Sequence, residues 1–408
     1  MGQFVTEIKS GGGIAVDDTI QVKGYETKAG SRILEGFWPL FSADAVERLE
    51  RAGYDIAGKT AVGEFGLDLL GEFGYGAADC DTLGEFGYNA ADCDTLRGAA
   101  AELVAAGTVK GALCVDLNGT PRRAAALSGV DFLKPTYGTV SRYGVIPCAC
   151  SGEQIGVTAK TAGSVRELLR VVAGHDSKDG TSLPAEAYDY DNGKDVASMR
   201  VGIVKELYGA ASNEMQARVT ACAEQLRGMG VAVDEISLPL SNAARTAWNL
   251  CLCAETCNNV SRYDGVKFGY RSPDYRNIDE LYVNSRTEGL NFLTKFVILY
   301  GSDVLSKGRY FTCYDKALKV RRLVAEQVKA AFKNYDALLC PACAETAYRP
   351  YDIKDAFKTV FAESLFTAIP NLTGIPAMVS GGVQFMADAL RDSDLLNLAE
   401  ALEGGNMS

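Results

Sequence analysis

Histidine is nearly absent: the 408 residues hold one, His175. A lone imidazole removes multi-histidine metal sites and nearly removes Ser-His-Asp and Cys-His chemistry. Long apolar runs are missing too. No uninterrupted stretch approaches the ~18 residues a membrane span needs, and the opening MGQFVTEIKS lacks the apolar core of a secretory signal. A cytoplasmic protein without a membrane segment is therefore expected, with its 12 cysteines as reduced thiols rather than a disulfide framework. Positive charge is in short supply: 41 Lys+Arg against 52 Asp+Glu leave a net charge of −11. That balance disfavours direct nucleic-acid binding. No metal and no cofactor are expected.

What is present is enough to bury a large core: 47% apolar residues and 23% charged residues exclude disorder. The cysteine groups Cys251-Leu-Cys253-Ala-Glu-Thr-Cys257 and Cys340-Pro-Ala-Cys343 read as small core residues, the second closing the buried strand end Ala337-Leu-Leu339. Residues 70–82 read LGEFGYGAADCDT and residues 83–95 read LGEFGYNAADCDT, a duplication broken only at Gly76 and Asn89. Two copies are too few for a solenoid. The Gly/Asp-rich stretch 70–95 is expected as a tandemly duplicated surface loop, with a cation site at its pooled carboxylates as the alternative.

Elsewhere strands and helices alternate. Ser42 is placed to cap a helix carrying Val46, Leu49 and Ala52, which Gly53 ends. Strand Val201-Gly-Ile203-Val leads to a helix opening on Asn213 and Gln216, with Met215, Val219, Cys222, Leu226 and Met229 on one face. Gly230 closes it before a strand over 231–236. Such a unit implies a parallel pair and a right-handed crossover. Ala317, Val320, Leu323, Val324, Val328, Ala331 and Phe332 mark another amphipathic helix. The fold class is α/β, a mostly parallel mixed central sheet with helices on both faces.

Specific motifs begin near Gly129: Phe132-Leu-Lys134-Pro-Thr-Tyr-Gly138, Val140-Ser-Arg-Tyr-Gly144, Gln154-Ile-Gly156 and Ala173-Gly-His-Asp-Ser-Lys-Asp179. Further on come Ser261-Arg-Tyr-Asp-Gly-Val-Lys-Phe-Gly-Tyr-Arg271 and Asn371-Leu-Thr-Gly-Ile-Pro376. The sequence resembles the amidase-signature family, and within it the A subunit of glutamyl-tRNA(Gln)/aspartyl-tRNA(Asn) amidotransferase. The resemblance implies one amidase-signature domain over 1–408, truncated ahead of its first conserved strand. It also implies a glutamine-hydrolysing, ammonia-supplying activity, with B and C subunits as partners. In that family a loop serine, activated through a second serine in a cis peptide and a lysine, attacks an amide, with backbone N–H groups holding the oxyanion.

Those positions have changed here. The nucleophile loop of the family reads Asp-Thr-Gly-Gly-Ser-Ile-Arg-Gln-Pro, and this chain has Asp116-Leu-Asn118-Gly119-Thr120-Pro121-Arg122-Arg-Ala. Asp116, Gly119 and Arg122 match, Asn118 and Gly119 fall at the oxyanion turn, and Thr120 takes the nucleophile position. Asp17, in Ile14-Ala-Val-Asp17, stands for the lysine, and an aspartate of ordinary pKa, ~3.9, is a poor base for a hydroxyl. Counting back from Val104-Ala-Ala-Gly107 puts Leu96 at the cis-serine. Val297 and Ser364 fall at two positions that grip substrate in the family, in place of arginine and aspartate. The expectation is a catalytically impaired paralogue with an interaction role. The rivals are an active amidase using Thr120, with Lys59 or another lysine as base, and a degenerate gene product without selected function.

Overall fold

The computed structural model of the chain describes residues 3–9, 11–75, 95–184 and 189–405. Most of the duplicated stretch, 76–94, lies outside the described residues, and with it the cation site considered for its carboxylates. In chain order the first half contains β1 (Phe4–Glu7), β2 (Ile14–Asp17), α1 (Asp44–Arg51), β3 (Ile56–Thr60), α2 (Ala99–Ala105), β4 (Gly111–Asp116), α3 (Thr120–Ser128), β5 (Asp131–Lys134), β6 (Gln154–Ala159) and α4 (Ala162–Val172). The second half contains β7 (Arg200–Val204), α5 (Lys205–Tyr208), α6 (Asn213–Gly228), β8 (Ala232–Ile236), α7 (Ser241–Val260), α8 (Ile278–Gly289), α9 (Phe292–Leu305) and α10 (Asp315–Ala331). It ends with β9 (Ala337–Cys340), α11 (Ile353–Thr373), β10 (Ala377–Ser380), β11 (Val383–Met386) and α12 (Asp392–Gly405).

The strands form one eleven-stranded mixed sheet, ordered β1-β3-β2-β4-β6-β5-β10-β11-β9-β7-β8. Parallel pairing is confined to its flanks, β3-β2-β4 and β9-β7-β8. There, helical crossovers return the chain in the same direction, as expected for β7-α6-β8. The other six neighbour pairs are antiparallel, so "mostly parallel" is corrected to mixed. The cause is local. β5 and β6 are joined by a connection without a helix, and β10 turns into β11 through Gly381-Gly382 alone. Both glycines have positive φ, 60° and 77°, which a two-residue hairpin turn demands.

Burial alternates along the strands. Ala15, Leu338 and Val379 face one apolar cluster, with α2, α3, α7, α9, α10 and α11; Val16, Leu339 and Met378 face the other, with α1, α4, most of α6 and α12. The two helical layers expected from the sequence thus each cover a continuous apolar face of the sheet.

Three local readings shift. Ala43, not Ser42, occupies the N-cap of α1, because the Ser42 hydroxyl accepts from Lys23 N–H instead. The cap of α6 is Ser212, whose Oγ accepts from Met215 N–H, one residue before Asn213. Leu323 on α10 is 52% exposed, off the buried face. The ten cysteines among the described residues are free thiols, and Cys340 and Cys343 are buried as expected. Among the described residues no three His, Cys, Asp or Glu side chains are placed to hold a metal ion, and no helix is long and apolar enough to cross a membrane.

Candidate functional site

β2 and β4 lie side by side and parallel, so Asp17 and Asp116 end their strands on the same edge of the sheet. The carboxyl ends of such strands are where open α/β sheets bind ligands. A register shift between β2 and β3 then sets which side chains face Asp17. Past the shift Thr60 pairs with Asp17 and Lys59 with Val16, so the two neighbours on β3 point to opposite faces.

Asp17 is buried, with Oδ1 accepting from Thr60 Oγ1 at 2.9 Å and Oδ2 from Val115 N–H at 3.0 Å. Loss of solvent pushes its carboxyl up to about 7 against the pull of these donors and the Cys114 thiol. It is therefore not the ordinary aspartate expected from the sequence. Lys59, considered as an alternative base, lies across the sheet. Its Nζ pairs with Asp18 at 3.0 Å and donates to Thr27 Oγ1 at 2.5 Å and Glu26 O at 3.2 Å. Burial lowers its pKa against the support of Asp18.

The loop from β4 into α3 is fixed from beneath. Arg122 donates to both carboxylate oxygens of Asp116, to Gln384 Oε1, to Thr367 O and to Asn371 Oδ1. Asn371 donates in turn to Asp116 Oδ1 at 2.9 Å. Burial alone would raise the Asp116 carboxyl, but Arg122 and Asn371 hold it below its ordinary value. Asn118 Oδ1 accepts from Trp248 Nε1 at 2.9 Å, and its backbone oxygen accepts from Thr367 Oγ1 at 3.1 Å. Gly119 turns the chain at φ 82°, so close to α11 that a Cβ would lie 2.3 Å from Thr367 Cβ.

Two of the loop's backbone positions cannot serve an oxyanion. Gly119 N–H is already given to Asp116 Oδ1 at 3.1 Å, and Pro121 has no N–H. The Thr120 hydroxyl has two partners. It donates to Asp68 O at 2.9 Å and accepts from Arg123 Nη2 at 3.4 Å. Arg123 is fully buried and also donates to Leu69 O and Thr367 Oγ1. Arg123 stands where the family loop has glutamine, a site residue that the catalytic motif positions do not single out.

Asp17 and Thr120 line one cavity of about 50 Å³, with apolar walls that include Phe65, Leu70 and Phe132. The other residues singled out from the sequence do not line it. Leu96 is buried just beyond, its N–H donating to Tyr348 O at 2.7 Å, while the following Gly98 and Ala99 reach the wall. Val297 is buried in α9, in the core shared with α7 and α11. Ser364 on α11 accepts from Asn249 Nδ2 at 2.7 Å and donates to Phe361 O at 2.9 Å.

The motifs and geometry agree with similarities to known proteins. A family model described as Amidase matches residues 10–396. The A subunit of glutamyl-tRNA(Gln) amidotransferase from Halothermothrix orenii is 35% identical over 403 residues, covering 96% of this chain and 83% of the relative. The Deinococcus deserti A subunit is 36% identical over 406 residues, covering 96% and 82%. Among solved structures, the A subunit from Thermotoga maritima superposes with a TM-score of 0.76 at 25% identity, covering 98% of this chain and 87% of that one. A match that runs through almost every strand of the sheet makes this chain a member of the amidase family, homologous to the A subunits of glutamyl-tRNA(Gln) amidotransferase.

Proposed function

We propose that the chain is a paralogue of the glutamine-hydrolysing A subunit in which Asp17, Leu96 and Thr120 stand at the three catalytic positions and hydrolysis is impaired. Its role is then to bind, with subunits of the B and C type as partners. The observation that carries this reading is the state of Thr120. Its proton is directed at the Asp68 carbonyl, not at a base, and one of its oxygen lone pairs faces the Arg123 guanidinium. Where the family has a lysine there is a carboxyl, and where it has a proton-relaying serine there is the hydrocarbon of Leu96. Removing members of a hydroxyl-nucleophile triad costs about 10⁴–10⁶ in rate.

One observation favours the rival reading, turnover at Thr120. Asp17 shares its cavity and is pushed up to about 7, a range suited to a general base. Against it, both Asp17 oxygens already accept hydrogen bonds from Thr60 and Val115.

Ammonia release from glutamine decides between them, measured with the chain alone and with B and C subunits added. Release at the level of buffer, unchanged by Thr120→Ala, is expected. Release that Thr120→Ala abolishes overturns the proposal. Association with the B and C subunits, read by co-sedimentation, tests the binding role.

A further inference from the structure

We propose that the cavity between β2, β4 and α3 binds a short primary alkylammonium ion, methyl- to propylammonium in size, with the Asp17 carboxylate as its counter-charge. The inference rests on the reading that this cavity no longer serves glutamine hydrolysis. Its first support is an unmatched charge. Asp17 is buried, and the donors it receives, Thr60 Oγ1 and Val115 N–H, are both neutral. No lysine, arginine or histidine lines the cavity among the described residues.

The cations nearby are committed elsewhere. Lys59 pairs with Asp18 on the opposite face, Arg122 with Asp116, and Arg142 with Glu153. Arg123 spends its donors on Leu69, Thr367 and Thr120. The other titratable groups near Asp17 carry no positive charge. Asp18 adjoins it in sequence, the Cys114 thiol is held neutral by burial, and Glu153 shares the lining. Placed beside Asp17, an ammonium group supplies what the protein leaves out.

Size and wall chemistry complete the argument. A cavity of about 50 Å³ takes roughly three to four water-sized groups, room for an ammonium and up to three carbons. Phe65, Leu70 and Phe132 offer such carbons an apolar wall, and the two rings suit a cation as well. Each added CH₂ within that length strengthens binding about fourfold. A carboxylate or an amino-acid zwitterion brings a negative charge that meets Asp17 and Glu153 and finds no cation.

The test is an NMR titration of the full chain with propylammonium, its neutral isostere 1-propanol and propionate, at about pH 8 and about pH 5.5. Propylammonium is expected to bind at least tenfold tighter than propanol at the higher pH, and roughly thirtyfold weaker at the lower pH, where Asp17 is protonated. Propionate is expected not to bind. Asp17→Asn is expected to abolish the preference for the amine. Where that variant does not fold, the Asp17 carboxyl carbon in the unaltered chain reports instead, its titration midpoint moving down when propylammonium is added. Equal affinity for propanol, binding indifferent to pH, an unmoved midpoint or no binding overturns the proposal. No glutamine enters this experiment. Thr120-dependent ammonia release would therefore defeat the functional reading, while these titrations defeat only the amine site.

Discussion

Arg122 meets Asp116 through two hydrogen bonds, Nε to Oδ2 at 2.7 Å and Nη2 to Oδ1 at 3.1 Å, with neither side chain exposed to solvent. The same guanidinium reaches Gln384 on β11 and Thr367 and Asn371 on α11. One side chain therefore ties the loop between β4 and α3 to two distant elements. Arg122→Ala strands a buried carboxylate and is expected to cost about 3–5 kcal/mol, read from the urea midpoint. Arg122→Lys keeps the charge but not the paired geometry and recovers only part of that loss. The pair also shapes the acid limb of stability. The folded Asp116 carboxyl lies below its ordinary 3.8, so its contribution is present above that value and is lost as pH falls through the folded one.

Gly119 offers a test of how tightly α11 clamps the loop. Alanine there combines φ 82° with a Cβ placed 2.3 Å from Thr367 Cβ. Strain and overpacking together are expected to cost about 3 kcal/mol or more. Gly129, at the other end of α3, has φ 68° with open space where an alanine methyl would lie. Gly129→Ala is therefore expected to cost only about 1–2 kcal/mol. Equal losses in thermal unfolding of the two variants would show that the Thr367 contact gives way.

The family and the layered architecture were legible because they rest on contiguous patterns. The run from Phe132 to Asp179 and the alternation through β7, α6 and β8 each sit within a short stretch of chain. The chemistry of the site was less legible, because it depends on partners far apart in sequence. Asp17 meets Val115 across 98 residues, and Arg122 meets Asn371 across 249. No local pattern announces the register shift that turns Thr60 toward Asp17 and Lys59 away. Burial, which gives Asp17 its raised pKa, is likewise a property of the packed sheet. Arg123 was within reach, since its departure from glutamine is visible in the loop itself.

Lys59 behaves structurally on this geometry. Its ammonium and Asp18 are both buried, 3.0 Å apart, beside Thr27 and Glu26. Lys59→Met leaves Asp18 uncompensated and is expected to cost about 3–5 kcal/mol. Adding Asp18→Asn removes the stranded charge, so the double variant is expected to regain most of the loss. Chemical denaturation of the four proteins measures that coupling. A double variant no more stable than Lys59→Met alone would assign the loss to packing.

Asp17 predicts a pH dependence of the opposite sign to that of Asp116. Its folded pKa is raised from 3.8 to about 7, so between those values the folded chain binds a proton that the unfolded chain has released. Stability therefore falls as pH rises from about 4 to about 7 and levels off above. The displacement corresponds to about 4 kcal/mol at full size. Glu64, also raised to about 7 by burial, titrates over the same window, and other buried carboxyls such as Asp131, raised to about 9, overlap it, so the bare profile mixes them. Asp17→Asn separates them. Asparagine is neutral throughout and retains an oxygen that can accept from Thr60 or Val115. Relative to the unaltered chain, the variant is expected to gain stability steadily from about pH 4 to about pH 7, measured by urea unfolding at fixed ionic strength. Parallel profiles for the two proteins would mean that Asp17 finds a compensating cation when folded, and the unmatched charge in the cavity would not exist.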